Sequence, residues 1–245
     1  MPNWCYNRLT VTGDRNDLIR LSGAIVRTHD TDLAETSNGE QQADYDLTIL
    51  FPIPEALTVR SVMFSDESTD PEHIALREQY AENKAKYGHQ DWYSWCLDNW
   101  GTKWSPRIES WSIADHSDGT SSISAYYETA WSPATGLMTK VSELYPSLTF
   151  VVLSDEESNA FVCCEAFKNG EVIAEEGWDF EVSSVPPQFT ERLAILTSKF
   201  EGKELDNDEL EALWELRSEL NDDIASFVHS SVLKAVGLME HGSAS

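Results

Sequence analysis

Two groups of residues in this chain have types and spacing that could do chemistry. The first is Asn99-Trp100-Gly101-Thr102-Lys103-Trp104, set among Trp92, Trp95, Trp111 and Trp131, so that six of the nine tryptophans lie between residues 92 and 131. A lysine between two indoles suits a nucleotide, with rings stacking on the base and an ammonium meeting the phosphate. In that reading Asn7, Arg8, Tyr127 and Ser132, from other segments, converge on Trp100, Lys103 and Trp104 as a ligand site. The other reading is structural. Tryptophan is a packing residue first, and a buried indole N–H needs an acceptor, so the cluster would anchor an insertion onto a sheet while Lys103 satisfies backbone carbonyls.

The second group is acidic. Asp208, Glu211, Glu215, Glu219 and Asp222 step by three or four, so a continuous helix carries all five carboxylates on one face, roughly 5 to 6 Å apart along the axis. That spacing is of the order of the phosphates along a nucleic-acid strand. Each like-charged pair at i,i+4 costs only about 0.2–0.5 kcal/mol, and Arg217 is the one cation close enough in sequence to relieve it. The stripe is either an ordinary solvated face or a surface for a basic nucleic-acid-binding groove.

Other chemistry is not signalled. The chain has no phosphate-cradling G-x-x-x-x-G-K-[ST], no G-x-G-x-x-G, no G-x-S-x-G and no H-E-x-x-H. His29, His73, His89, His116, His229 and His241 are scattered singly. Cys5, Cys96, Cys163 and Cys164 lack C-x-x-C spacing, and adjacent strand residues point to opposite faces, which suits free thiols better than a metal site. The expectation is a protein with no catalytic residues, no metal and no cofactor.

Charge narrows the partners. With 43 acidic and 17 basic residues the formal charge is −26, which argues against direct binding of nucleic acid or an anionic membrane and favours a positively charged protein partner. No apolar run reaches the roughly 18 residues of a membrane span, and the first twenty residues lack the basic start and apolar run of a signal peptide. The expected location is the cytoplasm, and nothing in the sequence sets the oligomeric state.

These groups need a scaffold. Residues 4–12 read as a strand with Cys5, Asn7, Leu9 and Val11 on one face, followed by Gly13, a capping Asp14 and a helix carrying Leu18, Leu21 and Ile25. Residues 30–43 read as a loop. Tyr45, Leu47, Ile49 and Phe51 alternate as a second strand ended by Pro52 and Pro54. An acidic, Ser/Thr-rich mobile stretch at 61–70 precedes a helix opened by Asp70-Pro71, and a shorter one runs from Asp91 to a stop at Gly101.

Strands then follow at 107–113 and at Ile123, Ala125, Tyr127 and Thr129. A helix capped by Ser132-Pro133 has Leu137, Val141 and Leu144 inside, and 148–153 reads as a central strand. A hairpin turns at Asn169-Gly170. Beyond Pro186-Pro187 comes helix, with Phe189, Leu193, Leu196 and Phe200 at helical spacing. A capping box at Asp206 and Glu209, with Leu205 and Leu210 as its staple, starts a last helix with Leu213, Leu216, Leu220, Ile224 and Phe227 inside. Residues 241–245 read as frayed.

The opening Met-Pro-Asn-Trp-Cys-Tyr-Asn-Arg-Leu-Thr-Val-Thr-Gly resembles the YubB-like ferredoxin-fold proteins of bacterial plasmids and phages. So do Phe51-Pro52-Ile53-Pro54, Asn99 to Trp104 and Thr129-Ala130-Trp131-Ser132-Pro133. The resemblance covers roughly residues 1–180 and implies a ferredoxin-like β-α-β-β-α-β core with an insertion; it transfers no activity. The sequence therefore predicts an α/β (α+β) fold. A ferredoxin-like core spans 1–183, with extra strands and a Trp-rich helical insertion at about 55–105, and an acidic helical extension spans 184–245. The expected function is that of a non-enzymatic phage or plasmid accessory protein that occupies the basic groove of a host nucleic-acid-binding or defence nuclease complex. The alternative is a small-molecule binder that sequesters a nucleotide at the Trp/Lys cluster.

Overall fold

Strand β1 (Trp4–Thr12) lies at the centre of the computed structural model, which describes residues 3–27, 44–65, 67–158, 160–179, 187–200 and 206–238. Alternation along β1 turns Cys5, Asn7, Leu9 and Val11 to one face, where all four are buried. The Asp14 carboxylate accepts from the Asn16 and Asp17 N–H groups and starts helix α1 (Arg15–Ala24), whose Leu18 and Leu21, with Ile25 just beyond it, are sealed from solvent.

The expected second strand at 45–51 does not form. Leu47–Leu50 is instead a 3-10 turn, and only an isolated bridge between Val26 and Tyr45 is strand-like. Asp46 is the cause: its carboxylate accepts from the Thr48 N–H at 2.9 Å and hydroxyl at 2.7 Å, and it also pairs with Arg27. This curls the chain where alternation required it straight. The loop expected at 30–43 and the frayed end at 241–245 lie outside the described residues.

Helices α2 (Pro71–Tyr87) and α3 (Trp92–Trp100) start on Asp70 and Asp91, and α3 stops at Gly101, as predicted; α2 stops at Gly88, and both glycines are at positive φ. The stretch before α2, expected to be mobile, is tied down over its described residues. Phe64 stacks on His73 at 4.7 Å, and the Tyr80 hydroxyl accepts from the Val62 N–H.

The second strand of the fold is therefore β2 (Arg107–Asp115), and between α1 and β2 the described residues carry the two 3-10 turns at Leu47–Leu50 and Glu55–Leu57 and the helices α2 and α3. It is followed by β3 (Ser121–Ala130), α4 (Thr135–Leu144), β4 (Thr149–Glu156), β5 (Phe161–Lys168) and β6 (Glu171–Asp179). The sheet is antiparallel throughout, in the order β2-β3-β1-β4-β5-β6. Its first four strands with α1 and α4 form a β-α-β-β-α-β unit in ferredoxin-like order. β5 and β6 extend the sheet through Asn169 and Gly170, both at positive φ as a two-residue hairpin requires.

Two predicted details differ around α4. Ala134, not Ser132, is the cap residue and no side chain caps this helix. Leu144 is 52 % exposed, and Met138 joins Leu137 and Val141 inside.

Both faces of the sheet carry a core. On one, Leu9, Val11, Ile123, Tyr127 and Phe150 pack beneath α1, α4 and the insertion. On the other, Val151, Leu153, Val162, Cys164 and Trp178 lie against the last helix, α6 (Asn207–Ala235), which follows α5 (Thr190–Phe200). The acidic extension is thus the cover of the second face. Asp206 and Glu209 make both bonds of the predicted capping box; Leu205 and the Phe200 side chain lie outside the description. Leu220, Ile224 and Val228 seat α6, while Leu216 and Phe227, expected inside, are each more than a third exposed.

Candidate functional site

The Trp100 segment is a joint between the insertion and the sheet. Trp100 is buried, and its indole N–H donates to the Phe51 carbonyl at 2.9 Å. The Thr102 hydroxyl donates to the Ala130 carbonyl at 3.0 Å and accepts from the Ala130 N–H at 3.1 Å, serving the end of β3 where β2 no longer reaches. Ser132 donates to the Gly101 carbonyl at 2.6 Å, and a Cβ on Gly136 would come within 2.5 Å of the Asn99 carbonyl oxygen. Each of the hydrogen bonds joins two of the segments that the sequence singled out, the Gly136 contact sets α4 against one of them, and all are structural.

Asn7 belongs to the same network. Its side-chain amide donates to the carbonyls of Cys5 (2.9 Å) and Tyr127 (3.2 Å) and to the Thr129 hydroxyl (3.0 Å), and its oxygen accepts from Ser154 at 2.7 Å. Thr129 in turn donates to the Ser132 carbonyl. Tyr127 is fully buried, its hydroxyl has no hydrogen-bond partner among the described residues, and burial holds the phenol well above its ordinary pKa. Thr102, Thr129 and Ser154, which tie these segments together, carried no sequence signal beyond the presence of the first two inside the quoted motifs.

Lys103 is held by aromatic faces rather than by carbonyls. Its ammonium lies 4.5 Å from the Trp104 ring, 5.0 Å from Trp131 and 5.6 Å from Tyr93. Trp131 adopts φ 69, unusual for a large side chain, while its N–H donates to the Asn3 carbonyl. Beside this cage runs a shallow groove of about 300 Å³ lined by Arg27, Pro52, Trp92, Trp100, Lys103 and Trp104. Its second cation, Arg27, is paired with Asp46, whose carboxyl burial raises but the bonds from Thr48 and Arg27 hold below its ordinary pKa.

Arg8 does not join this group. Strand alternation puts it on the opposite face of β1 from Asn7, where it pairs with Asp155 at 3.6 Å. Of the seven residues expected to converge, Asn7, Tyr127 and Ser132 lie in or against the buried network, Trp100 and Lys103 flank the groove with Trp104, and Arg8 faces away.

The acidic stripe is laid out as its spacing predicts. Asp208, Glu211, Glu215, Glu219 and Asp222 are all exposed on α6, a single helix from Asn207 to Ala235, and span about 21 Å of its axis. Among the described residues none of the five carboxylates is held in a salt bridge. Arg217 is turned to the inner side, over the Trp214 ring at 5.7 Å and close to Glu156.

The thiols are poorly placed for chemistry. Burial pushes Cys5, Cys96 and Cys164 each up to about 12 and Cys163 higher still, which removes the thiolate at neutral pH. Among the described residues no group of three or more His, Cys, Asp or Glu side chains is arranged to hold a metal ion, and no helix is long and apolar enough to cross a membrane.

No curated protein matches this sequence. Among solved structures, the chain is similar to the crystal structure of protein Api92 from Yersinia pseudotuberculosis, at 10 % identity and a TM-score of 0.38, over 76 % of this chain and 100 % of that one. The profile of the ferredoxin-like domain in Api92-like proteins matches residues 110–195, from within β2 to within α5. The fold is mixed α+β: a six-stranded antiparallel sheet with helices, carrying a ferredoxin-like domain.

Proposed function

We propose that the protein is a non-enzymatic acidic accessory protein of a plasmid or phage. It occupies the basic groove of a host nucleic-acid-binding protein, such as a defence nuclease complex, in place of the nucleic acid. One observation carries the reading: five carboxylates, free of salt bridges among the described residues, are held in register along about 21 Å of one rigid helix face. The resemblance of the opening strand and the tryptophan motif to proteins of mobile elements supplies the setting. Charge laid out this way steers a cationic partner and is screened by salt.

The test is reversal of charge. Glu211→Lys, Glu215→Lys and Glu219→Lys together leave the buried face of α6 untouched. Wild-type protein immobilised against a bacterial lysate should capture a nucleic-acid-binding partner that is released by rising salt and by competing DNA, and the triple variant should not. Equal capture of that partner by the triple variant at low salt refutes the reading.

The groove beside Lys103 favours a second reading, a nucleotide stacked on Trp104 with its phosphate on Lys103 and Arg27. Nucleotide binding there would raise the melting temperature with ligand concentration, and a flat response across a nucleotide panel rejects it.

A further inference from the structure

The face that seats α6 on the sheet is longer than the sheet beneath it. Leu220, Asn221, Ile224, Ala225 and Val228 are buried. One to three turns further toward the N-terminus the same side of the helix carries Arg217, Trp214, Leu213 and Leu210. There Leu210 is 40 % and Trp214 49 % exposed, while Leu213 and Arg217 are half-buried. A tryptophan half in water in mid-helix is costly to leave so, and contiguous apolar surface rimmed by polar groups marks an interaction site. Tryptophan and arginine, here in contact with each other, are also the side chains most often found as binding hot spots.

Charge selects the occupant. Glu209 and Glu211 flank this apolar strip on either side, while Asp208, Glu215 and Glu219 stand on the far side of the helix. A second copy of the chain brings another −26 and is repelled, as is an anionic membrane. What complements the strip is a surface apolar at its centre and basic at its rim. We infer that Trp214, with Leu210 and Leu213, is the apolar anchor of the partner interface, and that it receives a cationic amphipathic helix. The inference rests on the reading of α6 as the partner-binding element, and it adds a contact that salt does not screen. A pure electrostatic mimic has no use for such a contact.

Two fluorescent peptides of equal charge test it: a helical peptide of leucine and lysine in amphipathic order, and oligolysine. Wild-type protein should bind both at low salt and keep only the amphipathic one at high salt. Trp214→Ala should weaken the amphipathic peptide by about thirtyfold, a hot-spot loss, and leave oligolysine unchanged. Leu210→Ser, which removes a smaller exposed group, should act in the same direction. Circular dichroism of both variants checks that α6 persists.

Equal binding of the amphipathic peptide by wild type and both variants overturns the anchor. So does a wild-type dimer in sedimentation that Trp214→Ala makes monomeric, since the occupant is then a second copy. If the triple charge reversal leaves oligolysine binding intact while Trp214→Ala releases the amphipathic peptide, the charge-stripe reading fails and the anchor stands.

Discussion

Replacing Thr102 with valine separates a structural joint from a ligand site. Valine keeps the shape of threonine but can neither donate to the Ala130 carbonyl nor accept from its N–H, bonds of 3.0 and 3.1 Å in a region sealed from solvent. Each buried backbone group left without a partner costs about 1–3 kcal/mol, so the pair costs about 3 kcal/mol at the lower-middle of that range. For a chain of 245 residues, at roughly 2–4 °C per kcal/mol, the melting temperature should fall by about 6–12 °C. Thr102→Ser keeps the hydroxyl and should recover most of it. Calorimetry gives the shift. Partner capture and nucleotide binding, measured well below the lowered midpoint, should be unchanged. A Thr102→Val protein within about 0.5 kcal/mol of wild type refutes the clamp, and one that stays folded but loses a ligand makes the joint a binding site after all.

Other expectations follow from the same geometry. Burial, helped by Asp222 and opposed by Arg8, holds the Asp155 carboxyl above its ordinary pKa. Its stabilisation is therefore full below about pH 3.8 and is lost as pH rises through the folded value. Asp155→Asn should melt higher than wild type at pH 7, with the gap closing toward pH 4; a lower melting point at pH 7 would mean that the half-exposed ion pair with Arg8 outweighs burial. With Cys5, Cys96 and Cys164 each at about 12, roughly one thiol in ten thousand is ionised at pH 8. An aromatic disulfide reagent should then label the native protein far more slowly than the unfolded chain, and rapid native labelling of any of the three contradicts their burial. Leu220→Ala should cost about 2–5 kcal/mol in urea unfolding, whereas Leu216→Ala should change stability by less than about 0.5 kcal/mol; equal losses would mean that α6 is rotated from its described seat.

Much of the scaffold was legible because caps and turns are local. Asp14, Asp70, Asp91 and Asp206 each start the helix that their position predicts, and Asn169-Gly170 makes its hairpin. Period-2 alternation misled at 45–51, since a single side chain, Asp46, bonds its own backbone and overrides the pattern. Leu144, Leu216 and Phe227 were misplaced for another reason. Helical spacing says which residues share a face, but not where the neighbouring element ends. The same limit hid Trp214, which shares the seated face of α6 and lies beyond the sheet. The acidic stripe needed only its spacing to be read. The tryptophan cluster needed its acceptors, the Phe51 and Ala130 carbonyls, which lie 49 and 28 residues from their donors.

The position of β1 in the sheet has a consequence for synthesis. Cys5 pairs with Thr129 on one side and Glu156 on the other, so of the six strands β1 waits through the longest stretch of synthesis for its second neighbour. At about 5–20 residues per second, some 8–30 seconds pass before both neighbours exist. Until then Leu9 and Val11 lack Phe150 and Val152, the part of their core that β4 supplies, and an excess of carboxylates disfavours coalescence of unfinished chains.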